Sequence, residues 1–272
     1  MQCPVPMSVP RPNGRGSADR ISVPCGKCII CLGNRREHWS FRLEQEYLIC
    51  CSAFFITLTY DDDNLPQTFG VPCLNKSDLI LFIKRLRQYN TREREKYESL
   101  GKVPKNSLKR QNFKYYACGE YGTENTRPHY HLILFNMNSW IDKDSMYKIT
   151  ESTWNKGLVH IGTVTPASIT YVAKYLVNSF EDKYDVPPFS IMSKGIGLSY
   201  ILDKKEWFEN TDSNCIVDRG GIRKSLPRYF KAKLNRAPAG ASAEDFIRNG
   251  HDIRPMMISN RKKHVKTKRK KL

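Results

Sequence analysis

The chain has 272 residues, enough for one sizeable core with appended segments or for two small domains. Lys and Arg number 45 against 27 Asp and Glu, a formal net charge of +18, and 11% of residues are aromatic. The aromatic content excludes general disorder, and no apolar run approaches the roughly 20 residues of a membrane-spanning helix. So positive a surface points to a polyanionic partner, nucleic acid before an anionic membrane. The N-terminal MQCPVPMSVPRPNGRGS lacks an apolar stretch of signal-peptide length. The expectation is a soluble protein, without a membrane partner, working in a cytoplasm.

Residues 1–32 are rich in Pro, Gly and Cys and show no lasting periodicity. Residues 34–49 repeat Trp39, Leu43, Glu46 and Tyr47 at helical spacing. Residues 53–60, AFFITLTY, are dense in β-branched and aromatic side chains and stop at three aspartates, which predicts a strand. Ser77 is a candidate cap for a helix to Tyr89, with Leu79, Phe82, Ile83 and Leu86 on one face. The Lys/Arg-rich residues 91–111 read as a loop or a frayed helix end. Strands follow at 113–118 and 129–135, joined as a hairpin through the turn-rich GEYGTENTRP. A weak helix at 143–154, a strand at 158–164 and a helix opened by Thr165-Pro166 complete the pattern.

The order β-α-β-β-α-β plus one helix predicts an α+β fold, a split-βαβ (ferredoxin- or RRM-like) arrangement on an antiparallel sheet. The predicted organisation is a Cys-rich segment with a leading helix over 1–50, a core over 51–180, an irregular extension over 181–260 and a basic tail. That tail, RKKHVKTKRKKL at 261–272, has eight Lys or Arg in twelve and is expected to be disordered.

Three constellations carry chemistry. In Arg127-Pro-His129-Tyr-His131, positions i and i+2 of a strand project both imidazoles to one face, which makes half of a divalent-metal site. Glu120 ends the preceding strand and lies across the hairpin, where a third ligand belongs. Two histidines and a carboxylate leave positions open for water and substrate. The competing reading is a histidine pair that packs and bonds to backbone. In Tyr171-Val-Ala-Lys174-Tyr175, two phenols share one helix face within roughly 40° and an ammonium sits on the neighbouring flank. A nearby ammonium favours phenolate, the nucleophilic form; the competing reading is an amphipathic helix whose tyrosines pack on the sheet. Cys25, Cys28 and Cys31, spaced C-x2-C-x2-C with Cys3 as a fourth ligand, suit a structural Zn2+. An iron–sulfur cluster would use the same residues.

A strand reading FITLTY, a Glu-hairpin-HYH unit and YVAKY on a helix, in that order, resemble the HUH endonucleases. The chain is more closely similar to the replication initiators of microviruses, the gokushovirus branch in particular. Its VPCGKCIICL followed by Arg35, Arg36 and Trp39 looks like that branch too, and the resemblance spans roughly residues 20–180. The resemblance implies a nicking activity at a phage origin that starts rolling-circle replication. It implies Mg2+ or Mn2+ on Glu120, His129 and His131, and attack on phosphorus by Tyr171 and Tyr175. It further implies single-stranded origin DNA, a host helicase and a host polymerase as partners in the host cytoplasm. This sequence departs from the pattern twice. Bulky Tyr130 stands in the middle of H-x-H, and only Tyr171 has a lysine three residues on, Asn178 holding the matching place after Tyr175. Two other readings fit parts of the sequence. One is a non-catalytic, zinc-stabilised single-stranded DNA-binding or packaging protein; the other is a plasmid relaxase or transposase of the same chemistry.

Overall fold

The computed structural model describes residues 3–10, 20–103, 112–122, 126–178, 184–211 and 213–235. The basic tail at 261–272 lies outside the described residues. Contacts divide the chain into two compact units, Met1–His38 with Ile201–Leu272, and Trp39–Tyr200. Among the described residues no helix is long and apolar enough to cross a membrane.

In chain order the elements begin with β1 (Met7–Pro10), β2 (Arg20–Val23), α1 (Ile29–Ile49) and β3 (Ala53–Thr59). A small hairpin of β4 (Gln67–Thr68) and β5 (Val71–Pro72) precedes α2 (Lys76–Ser99). Then come β6 (Lys114–Tyr121), β7 (Pro128–Phe135), α3 (Lys143–Trp154), β8 (Val159–Thr163) and α4 (Pro166–Asn178). The remainder is β9 (Phe189–Met192), α5 (Leu198–Asp203), α6 (Lys205–Thr211), β10 (Cys215–Val217), β11 (Arg223–Ser225) and α7 (Arg228–Lys233).

The larger unit is built on a five-stranded sheet in the order β8-β3-β7-β6-β9, antiparallel at every pair. The β-α-β-β-α-β order expected from the sequence runs from β3 to β8. Strand alternation divides the side chains between two cores. Phe54, Ile56 and Leu58 of β3 and Tyr130, Leu132 and Leu134 of β7 pack with Leu79, Phe82, Ile83 and Leu86 of α2 and Met146, Ile149 and Trp154 of α3. The opposite face brings Tyr116 and Cys118 of β6 and Ile133 and Phe135 of β7 against Ile169 and Val172 of α4. β7 is central and covered on both faces, which is why HYHLILF loses the polar alternation of a half-exposed strand.

Helix ends follow local side-chain chemistry. α2 is capped by Asn75, whose Oδ1 accepts from the N–H of Ser77 and Asp78, so the cap lies two residues before the Ser77 expected. Thr165 and Ser168 cap α4 reciprocally: Thr165 Oγ1 accepts from the Ser168 N–H at 3.1 Å, and Ser168 Oγ from the Thr165 N–H at 2.8 Å.

Three expectations need correction. The stretch 91–99, expected as loop or frayed end, continues α2 to Ser99. It is polar all round and so shows no apolar period, yet its Arg, Glu and Lys residues are good helix formers and Arg94 pairs with Glu98 at 2.7 Å. α1 starts at Ile29 rather than residue 34, inside the cysteine motif, where the Leu32 N–H bonds to the Cys28 carbonyl. The extension beyond 180 is not irregular throughout: β9 pairs with β6 as the fifth strand, and short helices and a β10–β11 pair follow. At four residues, FSIM is too short to show a period.

The smaller unit holds the antiparallel β1–β2 pair, a buried cluster of Cys3, Cys25, Cys28, Ile30 and Cys31, and the β10–β11 pair. Here His38 Nε2 lies 3.0 Å from Ser225 Oγ.

Candidate metal centre and tyrosine pair

The β6–β7 ladder sets Glu120 directly opposite His129 and Cys118 opposite His131. Cross-strand partners point to the same face, so the hairpin register alone gathers one carboxylate and two imidazoles. Glu120 Oε1 stands 2.7 Å from His129 Nε2 and 2.8 Å from His131 Nε2. One ligand atom from each of the three lies within 4.8 Å of the others, with Glu120 and His131 buried and His129 half-buried.

The outer nitrogens are held as well. His129 Nδ1 lies 3.1 Å from the Arg127 carbonyl, an acceptor only, so Nδ1 carries the proton there and leaves the Nε2 lone pair to face inward. His131 Nδ1 lies 3.0 Å from Thr57 Oγ1, on the strand that pairs with β7. Such outer bonds orient metal-binding imidazoles. The residues therefore fit a divalent ion, on their donor set, convergence and ring orientation.

Without an ion the three groups share protons. Burial of Glu120 favours its neutral form, but hydrogen bonds from His129 and His131 outweigh it and hold the carboxyl below the usual range. Burial likewise opposes a charged His129, and bonds to Glu120 and the Arg127 carbonyl overcome it, raising that imidazole.

Tyr130, the unusual middle residue of H-x-H, faces the other core. Its hydroxyl accepts from the Asn75 N–H at 2.8 Å, donates to the Asn75 carbonyl at 2.9 Å and meets Tyr60 Oη at 2.9 Å. It ties the sheet to the cap of α2, so its bulk never enters the histidine face.

α4 crosses that histidine face. Tyr171 Oη comes within 3.2 Å of Glu120 Oε1 and 3.4 Å of His131 Nε2, and its side chain remains 41% exposed. The Tyr175 ring stacks over His131 with centroids 6.1 Å apart and an 18° tilt, and meets Tyr171 edge-on at 5.0 Å. Burial raises the Tyr171 phenol; a hydrogen bond with Tyr175 works against that rise, and the Glu120 charge adds to it. Burial and the same hydrogen bond both raise Tyr175, so the shared proton rests with Tyr175 and favours an anion on Tyr171. Lys174 is exposed on the helix flank.

Sequence reasoning missed Thr57 and Phe55. Phe55 stacks on His131 with centroids 5.6 Å apart and meets Tyr171 at 6.5 Å. The alternation of FFITLT places both on one strand face, but only the pairing of β3 with β7 shows which face that is.

The second cluster lies in the smaller unit. Cys3, Cys25, Cys28 and Cys31 are all buried, with one sulfur from each within 4.8 Å of the others. Cys3 Sγ to Cys28 Sγ and Cys25 Sγ to Cys31 Sγ are each 3.9 Å, close to the ~3.8 Å of four sulfurs set tetrahedrally about 2.3 Å from one centre. Backbone N–H groups of Cys25, Cys28 and Cys31 donate to Cys3, Cys25 and Cys28 sulfurs at 3.3–3.4 Å, the charge-offsetting pattern a thiolate cluster needs. The Cys31 thiol bonds to Cys28 and, with backbone donors, lowers it to about 5 despite burial, while burial lifts Cys3 to about 11. These residues fit a tetrahedral thiolate-bound ion.

The family profile for replication-associated proteins of the ORF2 type matches residues 53–180, from β3 to just past α4. Replication-associated protein ORF2 of Spiroplasma virus 4 is 34% identical over 233 residues, spanning 79% of this chain and 68% of the relative. The chain belongs to the replication-associated proteins of microviruses. Replication-associated protein VP4 of Bdellovibrio phage phiMH2K is 30% identical over 230 residues, 78% of this chain and 67% of the relative. Replication-associated protein ORF4 of Chlamydia phage 1 is 26% identical over 236 residues, 79% of this chain and 54% of the relative. No solved structure gives a significant match. As a member of this family the protein is a replication initiator. Both the histidine–glutamate cluster and the tyrosine pair fall inside the profile match.

Proposed function

We propose that this microvirus replication initiator is a metal-dependent, HUH-type nicking endonuclease and strand transferase acting on single-stranded DNA at the phage origin. The observation that carries the reading is the approach of Tyr171 Oη to within 3.2 Å of Glu120 Oε1, on a half-open face beside both imidazoles. Glu120, His129 and His131 are the residues that would hold Mg2+ or Mn2+. When bound there, such an ion supplies positive charge against a non-bridging oxygen of the scissile phosphate.

The chain's own groups do the rest. The Arg127 carbonyl and Thr57 keep the imidazoles in orientation, and Phe55 and the Tyr175 ring wall the site on either side of His131. Tyr175 retains its proton while it hydrogen-bonds Tyr171. Tyr171 loses its phenolic proton to water, its oxygen bonds to phosphorus, and the 3′-oxygen leaves as a free hydroxyl that a host polymerase extends. The product is a 5′-phosphotyrosine that conserves the phosphodiester energy. Tyr175, one turn along, then serves the second cleavage that lets the strands rejoin. The four cysteines would hold a structural Zn2+, and strand separation would fall to a host helicase in the host cytoplasm.

Incubation of the full chain with single-stranded origin DNA and Mn2+ tests this reading. The expected result is a covalent protein–DNA adduct that Y171F/Y175F does not form. Binding without any adduct from the wild type would instead favour a non-catalytic single-stranded DNA-binding protein.

A further inference from the structure

Within the larger unit, at the end of the sheet away from the histidines, lies a cavity of about 700 Å³. α2, the start of β6, the turn after β7 and the residues after β9 enclose it. Arg87, Arg94, Lys114 and Lys194 line it, and among the described residues no carboxylate does. Arg94 and Lys114 are neutralised by Glu98 and Glu46, at 2.7 and 2.8 Å. Arg87 and Lys194 are exposed and give the opening its charge.

The wall is fixed before any ligand arrives. Asn90 Oδ1 accepts from the Asn138 N–H at 2.8 Å, Asn138 Nδ2 donates to the Asn90 carbonyl at 2.8 Å, and Asn136 Nδ2 donates to the Asn112 carbonyl at 2.9 Å. One side is flat and aromatic. The Arg87 guanidinium lies 5.4 Å from the Phe113 ring centre and 6.0 Å from that of Tyr115. Small-molecule pockets are mostly apolar; one lined by amides and cations and floored by aromatic rings suits a charged, planar ligand.

We propose that this cavity is a second nucleotide subsite, in which Arg87 and Lys194 hold a phosphate of single-stranded DNA and Phe113 and Tyr115 offer its base a stacking surface. Backbone-tracking cations beside aromatic platforms are the means by which single strands are bound without sequence preference. The proposal rests on the family's replication role and not on nicking. Lys114 and Glu120 are six positions apart on β6, about 20 Å at ~3.3 Å per residue. At ~3.4 Å per stacked step, a strand reaching both places needs roughly six nucleotides or more.

The test measures affinity and its salt dependence by fluorescence anisotropy in EDTA, which leaves nicking out of the readout. The probes are a twelve-residue oligothymidylate and, as competitor, thymidine monophosphate; the proteins are the full wild-type chain, R87Q, K194Q, the double variant and K205Q as a charge control. Both cavity side chains are exposed, so these variants keep the core, and an unchanged melting temperature verifies it. The double variant is expected to bind the oligonucleotide roughly tenfold more weakly, with the log–log salt slope shallower by about 1.4, or ~0.7 for each lost phosphate contact. K205Q should lose far less. Competition by the monophosphate against wild type alone would identify the cavity as open to free nucleotides as well; lack of competition would assign it to the strand. Affinity and salt slope in the double variant equal to those of K205Q would overturn the subsite.

Discussion

Thr57 Oγ1 stands 3.0 Å from Nδ1 of His131, so a strand with no metal ligand of its own decides how one ligand presents its inner nitrogen. Thr57→Val keeps the shape and removes the bond. Loss of such an outer partner typically costs about tenfold to a hundredfold in metal affinity. Titration of Mn2+ by calorimetry should therefore show T57V binding at least about tenfold more weakly than wild type. Equal affinities would mean that packing alone orients the ring.

Removing a ligand should separate chemistry from binding. H129A and H131A are expected to lose nicking while retaining most of their affinity for single-stranded DNA, because phosphate contacts from Lys and Arg supply sequence-independent affinity. Normal nicking by both variants in Mn2+ would exclude the Glu120–His129–His131 cluster as the catalytic site.

The two tyrosines are not equivalent. The hydrogen bond between them lowers Tyr171 and raises Tyr175, which makes Tyr171 the better first nucleophile. Y171F should slow the first cleavage by roughly tenfold or more relative to Y175F, one such factor being about 1.4 kcal/mol of barrier. Peptide mapping of the covalent complex reads the order directly; an adduct mainly on Tyr175 would reverse it. Lys174→Gln should have a smaller effect than either, since that side chain is exposed.

Metal-free protein should show a pH signature of the shared proton. His129 is raised above 6.5, so its contribution to stability is complete below 6.5 and disappears as pH rises through the folded value. Glu120 is lowered below 4.5, so its contribution is present above 4.5 and disappears as pH falls through the folded value. The two describe one interaction and do not add. The melting temperature in EDTA should be highest between about 4.5 and 6.5, and Mn2+ should restore what is lost on the alkaline side. In Thr57→Val, whose His129–Glu120 pair is intact, the same profile should persist. A melting temperature that stays flat in EDTA from about pH 6.5 to 8.5 would contradict the pairing.

The buried cysteines predict a second, tighter ion. Purified protein should carry about one zinc per chain by elemental analysis, and Cys28→Ser should lose it and unfold at lower temperature, because a thiolate-bound ion contributes directly to folding. Iron in place of zinc would identify the cluster as an iron–sulfur site.

What the sequence by itself determined is what short-range geometry fixes. The i, i+2 spacing of His129 and His131 places them on one face, and a hairpin must return Glu120 beside them; both are consequences of strand period and turn closure. The C-x2-C-x2-C spacing likewise gathers Cys25, Cys28 and Cys31 within one turn and a helix start, and Cys3 joins them. The helix at Lys143–Trp154 was legible because its apolar face repeats at helical spacing and Asp142 caps it. Tertiary structure decided everything that depends on which surfaces meet. Thr57 and Phe55 reach His131 only because β3 lies next to β7, with 74 positions of chain between Thr57 and His131. Tyr171 reaches Glu120 only because α4 packs across one face of the sheet, a choice made by burial of Ile169 and Val172 rather than by the Tyr-x-x-Lys spacing. The fifth strand, β9, is too short for periodicity and exists because β6 offers an unpaired edge. The cationic cavity brings Arg87, Phe113, Asn138 and Lys194 together from four separate stretches of chain, a convergence that no local period encodes.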